Sequence, residues 1–524
     1  MLLREKYIPK TIAIFICILV IGLGVRVIIS PMAIFPDAYW GFHVLRTMEH
    51  GGGFNLNVRP DPSNINNNLS DFLTWWSPGQ YLIPYFFKAI FGINTGQASA
   101  ATVMIFNVLG LTGFYFFFKK VGFSPFVAAI SIGIIACQQE FLIPYVFYNG
   151  GEVLIFGFAG WFLWGCAAID KRGIRLVLFL FASGLLGFFF KSSFLWVYLA
   201  GCLYLWLKLS SGQNTIGDWL KKGIWIGMPA FLSLAVIYLC YLSKGPNPAS
   251  ITLGIKPTWV ALGFPMASPL LSGFSVDDIF GGLISGNGLG PSNQFWTSLI
   301  LVISTVLSVL LVITIIRRGP GKKYSLLVIV FYLVAIVFFG YSFLMQANIS
   351  YEVRHLRLIG LIIIPGGVYM VLRSNLAFKT IFLLFCFIIA YATYSALMPN
   401  YQKNTEISGR GSSGFAQQNI DQVSLDHITS LDKRNKNAIF VFINPELGLE
   451  ANNNRVITLR PVVSDLDPAD YVSYVHHGHA GPLYILLPSN YMGPQANLIL
   501  ECFPDYKEFE TEILSNDYVL FSAK

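Results

Sequence analysis

TIAIFICILVIGLGVRVIIS, residues 11–30, runs straight into PMAIFPDAYW at residues 31–40, and that junction decides the fold. A helix needs about 20 apolar residues to cross the hydrocarbon core of a bilayer, and the first stretch supplies them with a single charge, Arg26. A basic flank of Arg4, Lys6 and Lys10 precedes it, and no A-x-A-like cleavage site follows. The run therefore reads as a retained first membrane helix. Just beyond it an acid, Asp37, stands at the membrane border.

The same character extends along all 524 residues. Hydrophobic residues make up 55% and charged residues 12%, and the mean hydropathy is +0.61. A soluble domain carries roughly 25% charged residues, so bulk water is excluded as the solvent. The formal net charge of +8 invites a nucleic-acid reading. The Lys and Arg residues, however, lie mostly in short clusters between apolar runs, where the positive-inside rule accounts for them. The seven cysteines show neither a disulfide framework nor a CxxC metal spacing.

Apolar runs near 11–30, 97–118, 125–143, 152–169, 176–190, 194–207, 223–243, 295–316, 324–345, 355–372 and 378–397 predict about eleven spans. With the N-terminus in the cytoplasm, the loops placed inside carry Lys119-Lys120, Lys171-Arg172-Arg175, Lys208 with Lys221-Lys222, Arg317-Arg318 with Lys322-Lys323, and Arg373 with Lys379. All are basic, as the rule requires. Reading 176–207 as one long helix would invert everything downstream, and the Arg317–Lys323 cluster argues against it. The expected architecture is an all-α polytopic membrane domain over 1–397 with a small α/β domain over 398–524, outside the cytoplasm. Residues 31–96 and 244–294 form its large extracytoplasmic loops.

The first loop predicts a short helix from Ala38 to Met48, then an Asn-rich stretch, Ser63 to Ser70. A Trp-rich amphipathic segment follows, WWSPGQYLIPYFFKAIFG at 75–92, suited to the headgroup layer. In the tail, NAIFVFI (437–443), RVITL (455–459), PLYILL (482–487) and DYVLF (517–521) read as strands between turn-rich segments.

Charges at membrane borders are costly, so each is a functional candidate. Asp37 reads either as a general base for an acceptor hydroxyl or as the N-cap of the helix beginning at Ala38. Glu152, in YNGGEVLIF, would orient a polar substrate or assist a metal, or simply complement a helix dipole. In YEVRHLRLIG (351–360), Arg354 and Arg357 are three apart at a helix N-terminus, where backbone N–H groups already favour anions. With His355 between them they suit a lipid-linked phosphate; the alternative is interfacial snorkelling. Lys191, in FFFKSSF, is a further phosphate contact or a snorkelling lysine. The histidines of HHGH (476–479) read as a surface loop rather than a metal site.

PDAYW, the Pro-containing WWSPGQYLIP and RHLRLIG, in this order and on one membrane face, resemble motifs of the GT-C superfamily of polytopic glycosyltransferases. That superfamily includes the protein O-mannosyltransferases and the lipid A aminoarabinose transferases. Glu152 resembles a second family acid, usually Asp. The first loop has a lone acid where the mannosyltransferases have an Asp-Glu pair, and the WWDYG motif of oligosaccharyltransferases is absent. The resemblance covers the spans and not the tail.

What it implies is a bacterial inner-membrane glycosyltransferase, taking a hexosyl or pentosyl unit from a polyprenyl-phosphate donor. The acceptor would be a hydroxyl on lipid, glycan or protein. Asp37 and Glu152 would be catalytic, and Arg354, Arg357, His355 and Lys191 would bind the donor phosphate. The resemblance fixes no cofactor and leaves a divalent metal open. A transporter or flippase of lipid-linked glycans is the competing class. It would favour charges near the bilayer midplane, whereas these cluster at one face.

Overall fold

A computed structural model describes residues 2–212, 215–247, 251–279, 294–459 and 474–524. In chain order the helices are α1 (Leu2–Ile29), α2 (Pro36–Glu49), α3 (Gly79–Phe91), α4 (Thr95–Lys120), α5 (Pro125–Ala136), α6 (Gln139–Leu142), α7 (Gly151–Ala168), α8 (Ile174–Phe190), α9 (Phe194–Ser210), α10 (Ile216–Cys240), α11 (Trp259–Leu271), α12 (Val276–Ile279), α13 (Gln294–Arg318), α14 (Lys322–Leu344), α15 (Arg357–Leu372), α16 (Leu376–Gln402), α17 (Gln422–Arg434) and α18 (Pro494–Glu501). The chain divides into two compact units. One holds residues 1–24, 103–144 and 151–398; the other holds 25–102, 145–150 and 399–524. Hydropathy drew its boundary at residue 397 by composition. The compact units follow contacts, which put the first loop with the tail.

The first unit is the helical one, and the chain is a multi-pass membrane protein. Each of the eleven apolar runs forms helix, but the count of eleven full spans is not confirmed. Among the described residues eight helices are long and apolar enough to cross, and α5 with residues 139–145 makes a ninth candidate bent by 73°. The bend falls at Gln138, whose backbone is extended (φ −80°, ψ 147°) and whose buried Nε2 donates to Gly273 O at 2.7 Å. Helices α8 and α9 are separate and shorter, as is α11. Helix α11 lies inside what hydropathy took for a loop, where Pro265 and Pro269 mask its helical character.

Tight backbone contacts hold this unit together, as expected where lipid gives helices no solvent-driven reason to associate. A Cβ on Gly160 of α7 would meet Phe114 N of α4 at 2.5 Å. At one end of the bundle, Asp170 Oδ1 pairs with Lys323 at 3.0 Å and Lys208 at 3.4 Å. Three of the basic loops assigned to a common side therefore do meet.

In the second unit the strands are β1 (Ala33–Ile34), β2 (Leu56–Asp61), β3 (Asn64–Phe72), β4 (Phe147–Tyr148), β5 (Gly409–Arg410), β6 (Ala416–Gln417), β7 (Ile439–Phe442), β8 (Arg455–Thr458), β9 (Leu483–Pro488), β10 (Glu510–Ile513) and β11 (Tyr518–Ala523). The tail forms a five-stranded sheet of order β10-β11-β9-β7-β8. Strand β7 runs parallel to both β8 and β9, whereas β11 is antiparallel to β9 and β10. Both faces are covered, which explains why β7 and β9 read as continuous apolar runs. Ile439, Val441 and Ile485 pack on Ile499 and Phe503, while Phe440, Phe442 and Leu486 pack on Leu425 and Ile428 of α17. The four strands read from sequence are all present. Strand β10, ETEI, is exposed throughout and left no hydrophobic signal.

The first loop is built into this domain. Its Asn-rich stretch is one arm of the β2–β3 hairpin, and Ile65 is buried in the core beneath the sheet. Arg455 Nη1 donates to Ile65 O at 2.7 Å, and Tyr39 Oη lies 3.1 Å from Thr458 Oγ1. The amphipathic segment forms α3, with Tyr85, Phe86, Ile90 and Phe91 exposed and Gln80 and Tyr81 buried.

Candidate functional site

Five of the six sequence-chosen residues come together in the helical unit. Glu152 occupies the first turn of α7, Lys191 ends α8 as its C-cap, and Arg354 and His355 lie in a 3-10 turn, Val353–Leu356. Arg357 is the first residue of α15, so Arg354 precedes the α-helix rather than sharing its first turn. The turn is fixed from behind. Ser272 Oγ donates to Leu356 O at 3.2 Å, and α15 approaches the chain at Gly273 so closely that a Cβ on Gly360 would meet Gly273 N at 2.3 Å.

Glu152 accepts from the Lys191 ammonium, and its Oε1 lies 3.4 Å from Arg354 Nη1. Arg354 also pairs with Glu352 through Nε. Arg357 behaves differently. It is 7% exposed, its guanidinium lies over the Phe156 ring at 4.8 Å, and its Nε and Nη2 have no hydrogen-bond partner among the described residues. A buried donor without an acceptor is costly, so this guanidinium is poised for an anion. His355 stacks on Phe339 with centroids 6.3 Å apart. These side chains line a cavity of about 40 Å³ together with Trp196, Val197 and Leu358. That is room for a few waters or for the oxygens of one phosphate.

Two acids that the sequence reading passed over belong to this neighbourhood. Glu140 and Asp278, with Glu152, are the carboxylates acting electrostatically on Arg357. Burial first, and Glu140 second, push the Asp278 carboxyl up to about 8, against a hydrogen bond from Ser275 and the charge of Arg357. Glu140 was findable as an acid inside an apolar run. Asp278, in a short helix after α11, gave no comparable signal. Among the described residues no group of three or more His, Cys, Asp or Glu side chains is arranged to hold a metal.

Asp37 belongs to the other unit. It follows the parallel β1–β4 pair and sits, half-buried, in the first turn of α2. The N-cap of that helix is Phe35, without a side-chain cap, and Pro36 holds the next position. The capping role expected for Asp37 is therefore not the one it has: the helix starts two residues early because Pro suits a first helical position. The HHGH histidines are not a plain surface loop either. His476 is buried, donates Nδ1–H to Tyr474 O at 2.7 Å and stacks on Phe503, while His479 stacks on Tyr506.

No family model matches the chain, and no curated protein matches it in sequence. Solved structures do match in fold. ArnT from Cupriavidus metallidurans bound to undecaprenyl phosphate is similar with TM-score 0.50 and 10% identity over 99% of this chain and 97% of that one. Its apo form is similar with TM-score 0.50 and 11% identity, over 96% of this chain and 97% of that one. The arabinofuranosyltransferase AftD from Mycobacteria gives TM-score 0.53 and 13% identity over 98% of this chain, which spans only 39% of that protein. The fold is thus similar to those of ArnT and AftD.

Proposed function

We propose that this protein is a membrane glycosyltransferase that moves a sugar from a polyprenyl-phosphate donor to an acceptor hydroxyl at the extracytoplasmic face. The observation that carries this reading is Arg357: a buried guanidinium, unsatisfied among the described residues, at the start of a helix beside Lys191 and Arg354. Helix N-termini and guanidinium groups both favour phosphate. The likeness in fold to ArnT, solved with undecaprenyl phosphate, supports the lipid-linked donor.

In this reading Asp37 removes the proton of the acceptor hydroxyl. The hydroxyl oxygen bonds to the anomeric carbon as the bond from that carbon to the phosphate oxygen breaks, giving inversion. The negative charge gained by the leaving polyprenyl phosphate falls on Arg357, Arg354 and Lys191, fixed charges aimed where charge develops. Glu152 holds Lys191 and Arg354 in place until the phosphate arrives, and His355 forms part of the same wall. The basic loops around Asp170 face the cytoplasm of a bacterial inner membrane, and the sheet domain lies outside it. Purified protein should transfer label from polyprenyl-phosphate hexoses or pentoses to a membrane-extract acceptor, with EDTA reporting any need for a divalent ion. Binding of the lipid with no turnover on any donor would favour a lipid-glycan transporter instead.

A further inference from the structure

The unit formed by the first loop and the tail contains a polar cavity of its own, of about 170 Å³. Phe42, Leu45, Arg46 and Glu49 come from one face of α2, at the three- and four-residue spacing that aligns helical side chains. Lys88 of α3, Thr95 at the start of α4, and Ser412, Ser413, Leu449 and Asn452 of the tail complete the lining. A cavity of roughly 150 Å³ holds a six-membered ring such as benzene, but this one is polar where that one is dry.

Its charges do not balance. Glu49 and Lys88 neutralise each other at 2.6 Å. Arg46 donates through Nη2 to the Asn454 carbonyl, makes no ion pair among the described residues, and leaves Nε buried without a hydrogen-bond partner among them. Among the side chains that line the cavity one cation is therefore left over, with the Asp432 carboxylate acting on it from outside the lining. The tail's part of the wall is held in shape. The buried Glu450 accepts from Ser412 Oγ at 3.3 Å and from Ser413 N at 3.2 Å, and Asn452 Nδ2 donates to Ser412 Oγ. Phe42, Leu45 and Leu449 add apolar surface of the kind that the C–H face of a pyranose or furanose covers.

We propose that this cavity binds one acidic glycosyl unit: a single hydroxylated ring whose carboxylate or phosphate pairs with Arg46. Its hydroxyls exchange hydrogen bonds with Ser412, Ser413 and Asn452. The site shares no residue with the donor-phosphate site, because every residue it uses belongs to the other unit.

The test is direct binding to the full-length protein in nanodiscs, with no polyprenyl lipid present, followed by saturation-transfer NMR and thermal shift. The probes are glucuronate, glucose 6-phosphate, glucose and inorganic phosphate. Either acidic sugar should saturate below ~50 mM, the weak range natural to one small ring, and which of the two binds tells carboxylate from phosphate. Glucose and inorganic phosphate should bind about 10-fold more weakly, the order of a lost charged hydrogen bond. Arg46→Gln should erase the preference for the acidic ring. Ser412→Leu, at an exposed position on the rim, should block binding while leaving Arg46 intact. Glucose or phosphate matching the acidic sugars, no saturation by either acidic sugar, or wild-type binding in both variants would overturn the proposal. None of these results touches the transferase reading, since no donor is present.

Discussion

Glu152 Oε1 lies 3.4 Å from Arg354 Nη1 although 202 positions separate the two residues, and the same oxygen takes the Lys191 ammonium. One carboxylate thus stores two cations beside a small cavity, while Nε and Nη2 of Arg357 in the same lining have no hydrogen-bond partner among the described residues. The arrangement suits a site that must receive a phosphate and later release it, because Glu152 can take back what the phosphate gives up.

Glu152→Gln should therefore do two things. It removes the carboxylate that the largely buried Lys191 and Arg354 share, leaving Arg354 its pair with Glu352, and breaking such a pair costs about 3–5 kcal/mol, so the melting temperature should fall. Undecaprenyl phosphate, which replaces the lost charge, should raise the melting temperature of the variant more than that of wild type. Equal lipid-induced shifts would show that phosphate does not sit against Lys191 and Arg354.

Arg357→Lys keeps the charge and loses the planar fork. Donor use should fall about 10-fold or more, the loss expected for charged hydrogen bonds. Changing Arg354 and Arg357 together to Gln should abolish polyprenyl-phosphate binding. Lipid titrations with one fixed acceptor check both, and the defect should follow the donor's phosphate whichever acceptor is offered.

For Asp37→Asn the expected loss is roughly 100-fold in turnover with the protein still folded, as for removal of a general base. Phe35, not Asp37, holds the N-cap position of α2, and Asn keeps the size of the side chain. Near-normal turnover in the variant would take Asp37 out of the mechanism.

Gly360→Val should distort the site without touching a charge. Its Cβ would lie 2.3 Å from Gly273 N, backbone that cannot swing aside, and overpacking of this kind costs roughly 1–3 kcal/mol. Lower thermal stability and weaker lipid binding should appear together. Gly22→Ala, with nothing within 4 Å of the new atom, is the control and should leave both unchanged.

Asp278 gives a pH signature. Its carboxyl is raised from 3.8 to about 8, so between those values the folded protein holds a proton that the unfolded chain has released. Stability should fall as pH rises through that window and level off above it. Asp278→Asn should flatten that part of the profile in thermal melts at pH 5, 7 and 9. An unchanged slope would mean that the group titrates normally.

By itself the sequence determined the membrane class, the approximate positions of the apolar helices, four strands of the tail sheet and most of the charged residues of the candidate site. These are local signals: a span is written in consecutive apolar residues, a buried strand in its branched and aromatic run, and a costly border charge in its flanks. Only the tertiary structure decided the break at Gln138, whose side chain bonds a carbonyl 135 positions away, and the helix at Trp259–Leu271, disguised by its prolines. It alone joined the β2–β3 hairpin to the tail through Ile65, brought Glu140 and Asp278 towards Arg357, and left Arg46 over a polar cavity. Ion pairs, shared cores and unsatisfied donors are properties of neighbours in space. A residue's own segment fixes its cost of burial, but which distant group offsets that cost is settled only when the chain has packed.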